Sequence, residues 1–258
     1  MEMDELRAIA EGELSRVAGK SQRTGNVPFP PDFVIAKEGQ DRKASLARMV
    51  QGGRGGAVRL RLYLCITMMA TSKPFNLRKP PTPRGWARML ALDPQSGDRR
   101  VQRNLKWLAQ NDFIKLEPRW GGPAEITLLS PAGDGRAYVR PIEEPSTRGR
   151  YVGVPVEFWT NGWILELSTT AVALLLVLRD ALGGRNAPEY IPTYKQRKYG
   201  LSSDTWTKAI KDLSGYGLLT VGRESQGSTY DYQRMRNTYL LDWDRLKERP
   251  QLLEGTAE

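Results

Sequence analysis

The chain has no histidine and a single cysteine, Cys65, among its 258 residues. Without histidine, neither a Ser-His-Asp nor a Cys-His nucleophilic system can form, and metal sites built on histidine ligands are excluded. One cysteine cannot form an internal disulfide, so nothing points to secretion. Cys65 lies in an apolar stretch, where we expect a small buried side chain. We expect no catalytic activity and no cofactor or metal.

Long hydrophobic runs are absent too. The longest, residues 171–178, has 8 residues, whereas a membrane span needs about 20. The first 20 residues carry five acidic side chains, whereas a signal peptide has a basic start followed by an apolar segment. We therefore expect a cytoplasmic protein that does not interact with a membrane.

Acidic residues are scarce in one part of the chain. The net charge of the whole sequence is +10, but residues 42–106 hold 15 basic and only 2 acidic side chains, a net charge of +13. An ordinary solvated surface spreads its charge more evenly. Because a field of one sign is typical of nucleic-acid-binding surfaces, we expect a polyanionic partner.

One order of elements occurs twice along the sequence. Each copy opens with a short segment that contains proline and phenylalanine, at 30–33 and at 155–158, and an apolar helix follows, predicted at 58–69 and at 168–182. The other matching elements are a second helix (84–90 and 193–199), an extended segment (113–117 and 218–221), a glycine-containing tip (120–123 and 225–228) and a returning strand (125–129 and 237–241).

The third helix of each copy gives the clearest match. Its apolar residues have the spacing i, i+4, i+7 in both copies, which predicts one buried stripe along a helix. These residues are Val101, Leu105 and Leu108 in the first copy, and Trp206, Ile210 and Leu213 in the second.

Three helices followed by a hairpin, occurring twice, resemble tandem winged-helix DNA-binding proteins such as plasmid-type replication initiators and related regulators. The resemblance covers residues 26–130 and 151–243, and it rests on the two stripes, the short turn 200–203 and the glycine-tipped hairpins. It implies a mainly α fold with small β hairpins (α+β), made of two winged helix-turn-helix domains in tandem. In such proteins the third helix lies in the DNA major groove and the wing touches the backbone or the minor groove. The first copy departs from the pattern because its turn, 92–97, is long.

These elements divide the chain into five predicted parts. They are an acidic N-terminal helix with a flexible joint (1–25), a first winged-helix domain (26–130), a linker rich in proline, glycine and charge (131–150), a second winged-helix domain (151–245) and a C-terminal tail (246–258). The N-terminal helix has an apolar stripe. It is therefore a candidate surface for a homodimer or for a host replication or transcription protein.

Opposite its apolar stripe, the third helix of the first copy carries cations and an amide, with no acid between Arg99 and Gln110. Arginine can read guanine edges and an amide can read adenine, and cations near a helix start can meet phosphate. The DNA-binding residues predicted in the first copy are Arg84, Arg88, Arg99, Arg100, Arg103, Lys106 and Gln110, with Lys115 and Arg119 on the wing.

The second copy gives a weaker pattern. Asp204 opposes a close approach to DNA unless it contacts a cytosine amine or caps the helix beside Ser202. The candidates in this copy are Lys195, Arg197, Lys198, Thr205, Thr207, Lys208, Lys211, Arg223, Arg234 and Arg236. The second copy is otherwise a candidate for dimerisation or for binding a protein partner.

Sequence-specific binding of double-stranded DNA is thus the favoured function, in a replication initiator or transcriptional regulator of a plasmid or mobile element. The two roles need the same DNA-reading chemistry, so the sequence does not separate them. Two other classes stay open. A carboxylate metal nuclease could use Asp242 and Asp244, which have the spacing of one side of a strand. A protein-binding scaffold of tandem winged helices in a chromosome- or plasmid-organising complex would not need the segment of charge +13.

Overall fold

A computed structural model describes residues 3–36, 43–51, 55–147, 149–226 and 234–253. About half of the chain is helical, and the strands form small antiparallel sheets. The helices are α1 (Met3–Ser21), α2 (Pro31–Val34), α3 (Ser45–Val50), α4 (Gly56–Met69), α5 (Pro83–Met89), α6 (Gly97–Gln110), α7 (Glu157–Thr160), α8 (Trp163–Glu166), α9 (Thr169–Leu182), α10 (Thr193–Lys198) and α11 (Ser203–Gly215). The strands are β1 (Asn26–Phe29), β2 (Asn76–Leu77), β3 (Ile114–Glu117), β4 (Glu125–Leu128), β5 (Val152–Pro155), β6 (Glu189–Tyr190), β7 (Leu219–Gln226) and β8 (Arg234–Leu241).

Two stretches of the chain repeat one order of elements. Unit 1 (residues 56–128) runs α4, β2, α5, α6, β3, β4, and unit 2 (residues 169–241) runs α9, β6, α10, α11, β7, β8. In each unit the last strand lies between the other two, so the sheet orders are β2-β4-β3 and β6-β8-β7. The three helices and the hairpin predicted in each copy are therefore present in that order.

The strands differ from the prediction in number and in length. The short strands β2 and β6, which complete the two sheets, were not predicted. The glycine tip predicted at 225–228 is wrong at its start, because β7 continues to Gln226 and pairs there with Arg234. The rest of that tip lies outside the described residues.

Hydroxyl caps set the starts of three helices in the two units. Thr82 Oγ1 accepts a hydrogen bond from Gly85 N (3.1 Å) at the start of α5, where Pro83 takes the first helical position. Ser168 and Ser202 accept in the same way at the starts of α9 and α11. Each cap satisfies a backbone N–H that has no partner within its helix.

A two-stranded sheet joins the segments that precede the two units. β1 pairs with β5 antiparallel, so that Val27 faces Val154, Pro28 faces Gly153 and Phe29 faces Val152. Residues 28 and 153 are separated by 125 positions, the same offset that relates the opening segments of the two copies. Equivalent strands of the repeat therefore meet in a register that is symmetric about the Pro28–Gly153 pair, as expected for a local two-fold axis.

α4 and α9 form the centre of the core. Both helices are buried over most of their length, and buried side chains of the two units belong to one continuous hydrophobic cluster. Cys65 of α4 is fully buried, as predicted, and burial raises the pKa of its thiol to about 12. None of the helices in the described ranges is long and apolar enough to cross a membrane.

α1 packs on unit 1 and on the segment that precedes unit 2. Its apolar stripe, which includes Leu6, Ala10 and Leu14, is buried, and the helix packs against α4, α5 and α7. An ion pair joins Arg7 to Glu166 of α8. The stripe is thus covered within the chain and is not available to the partner that was predicted to bind it. A partner of α1 would have to contact the charged outer side of the helix.

The segment predicted as a linker packs on unit 1. Tyr138 is buried with its ring edge against Phe75, at 4.9 Å between ring centroids, and Arg140 Nη2 donates to Thr71 O at 2.7 Å. Gly133 and Gly135 have φ angles of +66° and +77°. The glycines therefore form turns in a packed connection.

The acidic pair predicted on one side of a strand is not in a strand. β8 ends at Leu241, and Asp242 Oδ1 accepts hydrogen bonds from Asp244 N and Arg245 N at 3.1 Å. Asp244 Oδ1 lies 2.6 Å from Lys247 Nζ, which lowers the pKa of the Asp244 carboxyl. Asp244 thus begins a short 3₁₀ turn, Asp244–Lys247, and Asp242 accepts hydrogen bonds from its first backbone N–H groups. Among the described residues no group of three or more cysteine or acidic side chains is placed to hold a metal ion.

Hydrogen bonds from Arg61 connect unit 1 to the segment just before unit 2. Its side chain lies on α4, and Nη2 donates to Leu165 O (3.1 Å) and Leu167 O (3.2 Å), just before α9. Desolvation by burial lowers the pKa of the guanidinium. Both carbonyl groups are partly buried, and Arg61 is the donor that satisfies them.

We expect Arg61→Ala to lower the free energy of unfolding by about 2–3 kcal/mol, because two carbonyl groups lose a donor in a largely buried place. Arg185→Ala is the control, since Arg185 is exposed and pairs only at the surface with Glu189; its effect should stay within about 0.5 kcal/mol. Chemical denaturation measures both. Equal, small effects of the two variants would contradict this role of Arg61.

Candidate nucleic-acid interface

α6 has one buried side, which fixes its orientation in the fold. Val101, Asn104 and Leu108 are buried and Leu105 is half-buried, so the predicted apolar stripe is confirmed. The helix packs with this side against α4 and α5. Asn104 fits in the core because its Nδ2 donates to Arg100 O at 2.7 Å. The opposite side of α6 must therefore face solvent.

That opposite side forms a continuous polar surface, which we call the α6 face. Its exposed residues are Arg99, Gln102, Arg103, Lys106 and Gln110. Within the described ranges, none of its three cations forms an ion pair. Gln102 was not among the predicted residues. The sequence does offer a signal for Gln102, because its amide side chain lies next to Arg103.

Arg59 supports the α6 face from behind. Its guanidinium lies 3.7 Å from the ring centroid of Trp107, and Nη1 donates to Met49 O (3.3 Å) and Gln51 O (3.2 Å). Burial, and next the charge of Arg103, lower the pKa of Arg59. This cation–π contact holds one side of α6 and places an additional positive charge close to Arg103.

The two predicted cations of α5 are exposed but lie close to α1. Arg88 Nη2 is 3.6 Å from Glu13 Oε1, which partly neutralises its charge. Arg84 lines a cleft of about 510 Å³ between α1 and α5, together with Leu6 and Asp98. Glu13 of the N-terminal helix therefore competes with any polyanion for Arg88.

The hairpin of unit 1 carries its cations beside acids and backbone oxygens. Lys115 Nζ lies 2.9 Å from Glu117 Oε1 on the same side of β3. Arg119 Nη1 donates to Arg78 O at 3.0 Å. Arg78 and the neighbouring Lys79 are exposed, although the sequence reasoning did not include them. The base of the hairpin thus adds several cations to the surface of unit 1.

The corresponding face of α11 is less basic than the α6 face. Lys208 Nζ lies 2.9 Å from Asp204 Oδ2 on the exposed surface. Thr207 Oγ1 donates to Ser203 O within the helix. Thr205 belongs to the helix start, because its N–H donates to Ser202 Oγ. Ser202 is therefore the cap and Asp204 is an ion-pair partner; Lys211 remains exposed.

The remaining candidates of unit 2 lie on α10 and on the hairpin. Lys195, Arg197 and Lys198 are exposed on α10. On the hairpin, Arg223 and Arg234 are exposed, and the guanidinium of Arg236 lies over the ring of Tyr190 at 5.9 Å. These residues form a looser set of cations than the single helix side in unit 1.

Comparisons with known proteins identified no relative of this chain. No protein-family model matches the chain, and neither the curated proteins nor the solved structures gave a match. The function must therefore be inferred from the geometry and charge of the surfaces themselves.

We expect Asp204→Asn to raise the affinity for a duplex about three-fold if α11 lies against phosphates, because the change frees Lys208 from an exposed ion pair worth up to about 1 kcal/mol. Fluorescence anisotropy with a labelled duplex measures the affinity. Asp134→Asn is the control, since Asp134 pairs with Arg136 and the substitution changes the net charge equally. The same increase in both variants would indicate an effect of net charge and contradict a contact at α11.

Proposed function

We propose that this protein binds double-stranded DNA in a sequence-specific manner and that each unit is a winged helix-turn-helix domain. In this proposal α5 with α6, and α10 with α11, are the two helix-turn-helix pairs. The hairpins β3–β4 and β7–β8 are the wings. The order of three helices and a hairpin, repeated with the same sheet order, supports this assignment.

The observation that carries the proposal is the α6 face, where exposed cations and amides lie opposite a side fixed in the core. α6 has 14 residues, which gives a length of about 21 Å. Its width suits the major groove of B-DNA, which is about 12 Å wide. An α-helix therefore fits there with one side towards the base edges.

The side chains of the α6 face have the chemistry for reading bases. A guanidinium donates two hydrogen bonds to the O6 and N7 of guanine, so Arg99 and Arg103 are the proposed guanine readers. Side-chain amides pair with adenine through N6 and N7, which suits Gln102 and Gln110. Lys106 offers a point charge to phosphate.

The two units have different roles in the proposed DNA binding. The exposed cations of α6 have no acidic partner among the described residues, whereas Lys208 of α11 is paired with Asp204. Unit 1 therefore supplies most of the base reading, and unit 2 holds the duplex through phosphate contacts from α10 and the hairpin. A pair of joined units can occupy successive major grooves about 34 Å apart.

In biological terms we propose a cytoplasmic, non-catalytic replication initiator or transcriptional regulator of a plasmid or mobile element. Selection of bound duplexes from a random pool tests the DNA binding and shows the site. An array of direct repeats would favour initiation of replication, and a lone inverted repeat would favour regulation. No enrichment of any sequence would contradict sequence-specific binding.

The salt dependence of binding separates DNA binding from the protein-scaffold alternative. Contact with about six phosphates should give a slope near −5 when log affinity is plotted against log salt concentration, because each contact releases condensed counterions. A titration of the full chain with the selected duplex at several salt concentrations measures this slope. A flat slope, or no binding, would favour the scaffold.

We expect Arg103→Ala to reduce discrimination at one base pair by about 1–3 kcal/mol, the contribution of one bidentate contact. The measurement compares the affinities of the variant for the selected duplex and for duplexes substituted at each position. Arg185→Ala serves as the control because it removes an exposed arginine away from α6. Unchanged affinity and site preference in Arg103→Ala would show that the α6 face does not read bases.

A further inference from the structure

Trp120, at the tip of the β3–β4 hairpin, is 100% exposed. A tryptophan side chain buries about 150–250 Å² when it packs, and this burial is its usual contribution to stability. At position 120 none of that area is removed from water, so the side chain does not stabilise the fold. Because tryptophan is enriched at interfaces and among the residues that dominate binding energy, a fully exposed tryptophan is a candidate binding contact.

The tip that carries Trp120 is narrow and held at its base. Gly121 has a φ of +69°, and no atom lies within 4 Å of the positions that Cβ atoms of Gly121 and Gly122 would occupy. Arg119, the residue before Trp120, is held by the hydrogen bond that its guanidinium donates to Arg78 O. The indole of Trp120 thus lies at the end of a narrow hairpin tip that is held at its base.

The charge around the tip favours a polyanionic partner. The exposed cations Arg78, Lys79 and Arg119 lie at its base, and no acid occurs from residue 118 to residue 124. The acids on either side are engaged: Glu117 pairs with Lys115, and Glu125 accepts a hydrogen bond from Asn76 Nδ2. An indole among cations suits the phosphate-lined edge of a DNA groove.

The reach of the hairpin matches the spacing of DNA grooves. Ile114 is buried at the base of β3, close to the end of α6, and Trp120 follows six residues later. Six extended residues span at most about 20 Å, and half a helical turn of B-DNA is about 17 Å. With α6 in a major groove, the hairpin is therefore long enough to reach the neighbouring minor groove.

We propose that Trp120 inserts into this minor groove and partly unstacks one base step; the inference rests on the DNA binding proposed above. An apolar wedge that opens a step kinks the duplex, and the cost is lowest at TA and CA/TG steps. The protein therefore prefers such a step about half a turn, or about 5 base pairs, from the bases read by α6. This preference needs no hydrogen bond to a base.

The test uses the full chain and a duplex of about 30 base pairs that carries the sequence selected by the wild-type protein, with 2-aminopurine next to the flexible step. Unstacking raises the fluorescence of this base analogue. We expect the wild-type protein to raise it, Trp120→Phe to raise it less, and Trp120→Ala to leave it unchanged. Ile142→Ala is the control because Ile142 is also exposed, at 68%, but lies outside the proposed interface.

The affinity measurements complete the test. Trp120→Ala should weaken binding about ten-fold, as expected for loss of one aromatic stacking contact, and should remove the preference for a flexible step. Its salt slope should be unchanged, because tryptophan carries no charge. Arg119→Ala should instead make the slope less steep by about 1.

Three outcomes would overturn the wedge. If Trp120→Ala matches the wild type in fluorescence and affinity while Arg103→Ala loses discrimination, the DNA-binding proposal stands and the wedge is wrong. If Trp120→Ala weakens all duplexes alike, with the wild type giving no fluorescence change, Trp120 contacts only the backbone. If the wild-type protein binds no duplex, both proposals fail.

Discussion

The packing of α6 against α4 and α5 is the contact on which the account of this protein depends. Val101 and Leu108 lie in the core, and Trp107 is held by the guanidinium of Arg59 at 3.7 Å. Turning the helix by half a turn would bury three cations without partners, at a cost of several kcal/mol for each. The apolar side of α6 therefore determines which side chains the protein can offer to a partner.

Several contacts join unit 1, which carries the α6 face, to unit 2. β1 and β5 join equivalent segments of the repeat, Arg61 donates across from α4 to the residues just before α9, and α1 packs on unit 1 and on α7, which precedes unit 2. Buried side chains of the two units form one cluster. A protein built in this way can hold two helices at a fixed separation, which two domains on a flexible linker cannot do. Fixed separation is what the reading of successive grooves requires.

Local patterns were enough to predict α6 and its outward face. The spacing of Val101, Leu105 and Leu108 repeats with the helical period, so both the helix and its orientation follow from nearby residues. The strands β2 and β6 have two residues each, which is too short to show a period. The pair of Asp204 with Lys208 has the i, i+4 spacing typical of helices and was within reach of sequence reasoning. The pairing of β1 with β5 and the contact of Glu13 with Arg88 join distant parts of the chain, and no local pattern encodes them.

The most direct measurement for the central claim is methylation interference on the selected duplex. Methylation of guanine at N7 places a methyl group in the major groove, at the acceptor that an arginine uses. If the α6 face reads bases, methylation at one or more guanines should block binding of the wild-type protein, and at one of them the block should disappear in Arg103→Ala. If N7 methylation blocks binding nowhere in a site that contains guanine, or blocks Arg103→Ala and the wild type identically, α6 does not read the major groove.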